Sequence, residues 1–194
     1  MPNQPGKLVV ISGPAGAGKS TIVREVLAAC PAPLELSVSA TTRAPRPGER
    51  DGVDYHFLTD EEFQRRRKAG EFLEAFEVFG KGCWYGTLNE TVTTGLAAGK
   101  WVLLEIDVSG AMAVVERFPQ AILFLSRPDS FSQLQSGRRV RATESDEAIE
   151  YRLETARHEW AQAGRYRHQV INREVPQAVA EICDLLMQYG DDAK

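Results

Sequence analysis

Cysteine and histidine are scarce in this chain, with three of each among 194 residues. Cys30, Cys83 and Cys183 are odd in number, far apart and free of any C-x-x-C spacing. That leaves no basis for a disulfide framework or for a zinc site of the common kinds. No apolar run approaches the ~20 residues that a membrane-spanning helix requires. The opening Met1-Pro-Asn-Gln-Pro-Gly6 is short and polar, so the expectation is a reduced, soluble, cytoplasmic protein without a secretory leader. Excess positive charge is missing too, since 23 Lys plus Arg stand against 27 Asp plus Glu, a formal charge of −4. This balance argues against a nucleic-acid partner held by bulk electrostatics. Its positive charge is clustered locally, which suits a small polyanionic ligand. The sequence points to no protein partner, and no internal repeat or low-complexity tract is present.

Against these absences stands one dense signal. Gly13-Pro14-Ala15-Gly16-Ala17-Gly18-Lys19-Ser20 is a complete phosphate-binding loop. Before it runs the β-branched stretch Leu8-Val9-Val10-Ile11, which predicts a buried strand. From Thr21 to Cys30, Ile22, Val23, Val26 and Leu27 share one face of a predicted helix. Glycines let backbone N–H groups curl around a phosphate, and the helix N-terminus adds partial positive charge. Lys19 can reach the β- and γ-phosphates of a nucleotide, while the Ser20 hydroxyl suits Mg²⁺.

Three further apolar runs, Trp101–Ile106, Ala121–Leu125 and His168–Asn172, predict strands of the same core, separated by helical patterns. The chain therefore reads as α/β with a largely parallel sheet. Pro176 opens a final helix in which Val179, Ile182, Cys183 and Leu186 repeat at helical spacing, with Gly190 expected beyond its end. Two polar stretches interrupt the core, Ser39 to about Leu96 and Ser130 to about Leu153. In the first, Thr59-Asp-Glu-Glu62 is a capping-box signature for a short helix ending at Gly70. The cations Arg65–Lys68 fall in its last turns and read as a solvated face. The second carries Arg138, Arg139, Arg141 and Arg152.

A phosphate loop with two polar insertions is the plan of a small phosphotransferase, one insertion holding the acceptor and the other closing over the donor. In the first insertion, Ser37–Glu49, Asp51–Phe57, Glu71–Glu74 and Trp84–Thr87 occur in order behind the loop. Together these motifs resemble the guanylate kinase family over nearly the whole chain. The resemblance implies a P-loop nucleoside-monophosphate kinase fold in a single domain over 1–194. Its core would comprise 1–38, 97–129 and 154–194, with a GMP-binding lobe at 39–96 and a lid at 130–153. The implied reaction is phosphoryl transfer from ATP, with Mg²⁺, to GMP.

The residue chemistry is consistent with that implication. Guanine presents N1–H and its exocyclic amine as donors, and a carboxylate such as Glu74 accepts both, while the Ser39 and Thr87 hydroxyls adjust to either role. Alone, Glu74 would read as an exposed strand carboxylate. Arg43, Arg46, Tyr55 and Tyr85 offer the cationic forks and phenolic donors that a nucleotide phosphate needs. Asp107 follows a core strand, at the end of a parallel sheet where ligands gather, and equally suits a helix N-cap. By resemblance it lies near GMP, and Arg141 and Arg152 align with lid and lid-helix arginines.

The chain departs from the family pattern at several points. Aligned through Arg141, the first lid arginine falls on Gly137, beside Arg138. Residues 80–84 include two extra positions, Glu105 and Ser109 stand where Asp and Gln are usual, and Asn172-Arg173-Glu174 replaces Asn-Asp-Asp near the expected adenine. A kinase for another small phosphorylated acceptor, or a non-catalytic module of this fold, are the competing readings. The intact set Ser39, Glu74 and Thr87 opposes the first, and the undamaged phosphate loop opposes the second.

Overall fold

Strand β1 (Lys7–Ser12) buries five of its six residues, as its β-branched apolar run requires. The computed structural model describes residues 6–14, 17–78, 82–128, 154, 157, 159 and 161–191. Around β1 lie β2 (Leu34–Leu36), β7 (Trp101–Glu105), β8 (Ile122–Arg127) and β9 (His168–Ile171), in the order β2-β7-β1-β8-β9. Every pairing in this sheet is parallel.

Alternation along β1 divides the core into two layers. Val9 and Ile11 join Ile22 and Val26 of α1 (Lys19–Ala29) and Ile182 and Leu186 of α5 (Val175–Asp191). Leu8 and Val10 face the other way, toward Val92 of α3 (Asn89–Ala97) and Val108 and Val114 of α4 (Val108–Arg117). Helices thus cover both faces, which a parallel sheet needs because neither face can be left to water. Complete burial of a side chain such as Ile11 stabilises the fold by about 2 kcal/mol.

Between β2 and α3 the chain builds a second sheet from β3 (Ala40–Thr41), β4 (His56–Phe57), β5 (Phe72–Val78) and β6 (Cys83–Leu88), in the order β4-β3-β6-β5. It packs on α2 (Asp60–Lys68) through Phe63, whose ring stacks on Phe72 at 4.5 Å. The Thr59 hydroxyl accepts from the Glu62 N–H at 3.2 Å, capping α2 as its sequence predicts. The cations of its last turns stay on the surface. Arg65 and Arg66 pair with Glu62, and the Arg67 guanidinium lies 4.2 Å from the Trp84 ring.

Three details differ from the sequence reading or add to it. Helix α5 does not stop before Gly190 but runs through it to Asp191. Lys7 donates to the Tyr189 carbonyl at 2.7 Å and so satisfies an acceptor of the last turn, with Gly190 passing beside Trp101. The distant Cys30 and Cys183 are brought together as free thiols where α1 meets α5, each packed on the same core cluster. The expected lid at 130–153, with Arg138, Arg141 and Arg152, lies outside the described residues, as do Ala15 and Gly16.

Candidate active site

The phosphate loop leaves β1 through a backbone that only glycine permits. At Gly13, φ is 151° and a Cβ would sit 2.0 Å from the Ser126 carbonyl oxygen of β8. Gly18 caps α1 in the left-handed region, φ 77°, where a Cβ would meet the Asn172 amide at 2.8 Å. Asn172 secures the same turn by donating to the Ala17 carbonyl at 2.9 Å. The Lys19 ammonium curls back over the loop to the carbonyls of Gly13 at 2.5 Å and Pro14 at 3.2 Å. No acidic residue stands in the first turn of α1, where Lys19, Ser20 and Thr21 lie, so the positive end of this helix suits an anion.

Two contacts here were not foreseen in the sequence. Ser20 donates to Glu105 Oε1 at 2.6 Å, joining the loop to the end of β7. A hydroxyl and a carboxylate are hard oxygen ligands, so this pair fits Mg²⁺, which takes one or two protein oxygens and completes its shell with phosphates and water. Beneath the loop, Ser12 Oγ and the Tyr166 hydroxyl share a buried hydrogen bond of 2.9 Å. Burial pushes the Tyr166 phenol well above its ordinary range. Nothing in the spacing of residues 12 and 166 announces this pair.

Beside the second sheet, three of the sequence-predicted acceptor residues, Arg43, Tyr55 and Tyr85, converge. The Arg43 Nε donates to the Tyr85 hydroxyl at 3.1 Å, and its guanidinium lies 5.4 Å from the Tyr55 ring. Tyr55 and Tyr85 meet edge to face at 5.8 Å. The Tyr55 phenol is pushed up to about 12, first by burial and next by the negative charge of Glu105, so it remains a donor. Glu105 is therefore close enough to act on both the phosphate loop and this cluster. Arg46 has an exposed side chain on the turn that follows Arg43.

Glu74, Thr87 and Ser39 form a row across the same sheet. Glu74 pairs with Thr87 between β5 and β6, and the β3–β6 register, Ala40 with Gly86, puts Ser39 one step on, level with Thr87. Glu74 is 9 % exposed, not the open strand carboxylate that its neighbours alone would suggest. The Thr87 hydroxyl donates to it at 2.6 Å. Burial pushes the Glu74 carboxyl up to about 7 against the lowering effect of Thr87, with the Asp107 charge adding to the rise. Asp107 caps α4 by accepting from the Gly110 N–H at 2.7 Å, so the helix-cap reading holds. Gly110 makes room for the acids, since a Cβ there would lie 3.1 Å from Glu74 Oε2. Arg117 of α4 donates to the Leu73 carbonyl at 2.9 Å, tying β5 and hence Glu74 to the core.

A parallel sheet with β1 at its centre, opening through a glycine-lined loop onto a helix N-terminus, is the plan of the P-loop phosphotransferases. Comparison with known proteins narrows the class. The family model described as guanylate kinase matches residues 5–189. A curated relative named guanylate kinase from Rhodopirellula baltica is 53 % identical over 185 residues, covering 94 % of this chain and 88 % of its own. One from Gloeobacter violaceus is 47 % identical over 186 residues, covering 96 % and 89 %. The crystal structure of guanylate kinase from Anaplasma phagocytophilum superposes with a TM-score of 0.78 at 29 % identity, over 96 % of this chain and 87 % of that one. The chain belongs to the guanylate kinase family and is an enzyme of the kinase class.

Proposed function

We propose that the protein transfers the γ-phosphoryl group of ATP to GMP, giving ADP and GDP, in the cytoplasm and with Mg²⁺. The observation that supports this most strongly is the buried Glu74 carboxylate, held by Thr87 in a row with Ser39. An ionised Glu74 accepts from both N1–H and the exocyclic amine of guanine. Adenine presents the opposite hydrogen-bond sense at N1 and C6 and would leave these buried groups unpaired, a cost of roughly 1–3 kcal/mol per group.

The acceptor is a phosphate oxygen that is already anionic, so no strong general base is needed. Rate then depends on alignment and on charge neutralisation. Arg43, Arg46, Tyr55 and Tyr85 hold the phosphate of GMP in line, and the loop N–H groups with Lys19 hold the donor phosphates. Ser20 and Glu105 are the residues that would hold Mg²⁺, which supplies positive charge to the donor oxygens when bound. Asp107 stands beside the guanine row. Arg138, Arg141 and Arg152, from the proposed lid and its following helix, neutralise the group in transit. Closure of the 39–96 lobe and the 130–153 lid over the 1–38, 97–129 and 154–194 core excludes water from the reaction.

The test is ADP formation from Mg-ATP with GMP, AMP, UMP or CMP as acceptor. Turnover confined to GMP is expected. Turnover with another acceptor would keep the phosphotransferase and overturn its substrate, and GMP binding without turnover would make this a binding protein.

A further inference from the structure

The acceptor-phosphate cluster contains an acid that the functional reading leaves unused. Arg43 has five N–H donors. Its Nε donates to Tyr85 at 3.1 Å, one Nη1–H to the Ala44 carbonyl at 2.7 Å, and the remaining three face Glu49 or open space. Glu49 accepts from Nη1 at 3.0 Å through Oε2 and from Nη2 at 2.9 Å through Oε1, a two-pronged fork. Four donors are thus engaged and one Nη2–H is left. The ion pair is well covered, with the side chains of Arg43 and Glu49 only 16 % and 19 % exposed.

The same carboxylate holds the second arginine by its backbone. Arg46 N–H donates to Glu49 Oε2 at 2.7 Å, and Glu49 N–H returns a bond to the Arg46 carbonyl at 3.0 Å, closing the Arg46–Glu49 turn. The Arg46 guanidinium makes no hydrogen bond or ion pair among the described residues. One acid therefore fixes the direction of Arg43 and the position of Arg46 while leaving the Arg46 fork open to an anion.

Resting on the reading that Arg43 and Arg46 grip the phosphate of GMP, we propose that Glu49 is the positioning residue of that grip. It orders both arginines before the nucleotide arrives, so that binding a phosphate dianion does not have to order two long side chains as well. Arg43 contributes fixed charge and a single remaining donor, and Arg46 contributes the free fork. Glu49 itself does not touch the base.

The proposal separates phosphate binding from base binding, and guanosine is the probe that tells them apart. In Glu49→Gln, GMP affinity falls about tenfold, while guanosine affinity stays within twofold and the KM for ATP changes little. Glu49→Asp, which keeps the charge on a shorter arm, falls between the two and carries the same comparison if the Gln variant does not fold. Equal losses for GMP and guanosine would mean a merely structural role. Tighter GMP binding would mean that Glu49 competes with the phosphate, and unchanged GMP binding that it does nothing there; each of these overturns the proposal. Wild-type turnover of GMP, measured alongside, keeps the two questions apart. If it is intact while the GMP-to-guanosine ratio does not move, only the role of Glu49 fails; if it is absent, the functional reading fails first and the proposal with it.

Discussion

Thr87 donates its hydroxyl to Glu74 at 2.6 Å, and Glu74 is the one carboxylate buried among the described residues. The two stand opposite one another on β6 and β5, away from bulk water. A buried acid with one neutral donor and another acid, Asp107, nearby holds its proton to higher pH than an exposed one.

The ligand-free protein therefore has a pH-dependent stability to which this residue contributes. In the folded state Glu74 titrates at about 7, against about 4.5 when exposed. Between these values the folded state binds more protons than the unfolded state, so stability falls as pH rises and levels off above 7. The full shift corresponds to roughly 3 kcal/mol. Urea unfolding at pH 5 and pH 8 measures it, and the difference shrinks in Glu74→Gln. Under the proposed function the same proton opposes base recognition, because only the ionised carboxylate accepts both guanine donors. Guanosine affinity is expected to rise about tenfold from pH 6 to pH 8 in the wild type and to stay flat in Glu74→Gln. Guanosine is the better ligand here, since it lacks the phosphate that titrates near pH 6.

In the proposed mechanism Lys19, which curls back over the phosphate loop, acts on the donor phosphates and not on the acceptor base. Lys19→Met should lower kcat by about 10² or more while leaving GMP affinity within a few fold. Steady-state turnover and calorimetric GMP binding make the comparison, and near-wild-type turnover would remove Lys19 from the mechanism.

Gly110 sits against Glu74 Oε2, with 3.1 Å available for a Cβ. Gly110→Ala is expected to displace the carboxylate and raise the KM for GMP about tenfold, with the KM for ATP unchanged. A variant in which both constants stay at wild-type values would show that the acid tolerates the methyl group.

Tyr166 lies beneath the phosphate loop, bonded to Ser12 at the last position of β1. Tyr166→Phe leaves a buried Ser12 hydroxyl without that partner, at a cost of about 1–3 kcal/mol in stability. The midpoint of urea unfolding reports this, and a companion Ser12→Ala, removing both groups in the double variant, should recover part of the loss.

The phosphate loop could be read directly because its function is carried by consecutive residues whose types are dictated by backbone geometry: Gly13 and Gly18 sit at positive φ and in close contact with other chain segments. The strands of the core were readable for a similar reason, since burial on both faces makes runs such as Val9–Ile11 continuously apolar. Thr59 announced the start of α2 through a side chain that caps three residues ahead. Gly190 predicts the end of α5, yet the helix runs on to Asp191, with the Tyr189 carbonyl satisfied by Lys7, 182 residues earlier.

The sequence by itself thus determined the class of fold, the phosphate loop and, through four ordered motifs, the family, all of which depend on local spacing. Tertiary structure alone decided what each of the scattered side chains experiences. Glu74 becomes a buried acid with a raised pKa because β5 is tied to α4 through Arg117 and faces Thr87. Ser20 meets Glu105 because β1 and β7 are neighbours in a parallel sheet, and Ser12 meets Tyr166 across 154 residues of chain. Burial, proton affinity and hydrogen-bond partnership depend on distance in space, and the order of residues along the chain does not encode that distance until the sheets have formed.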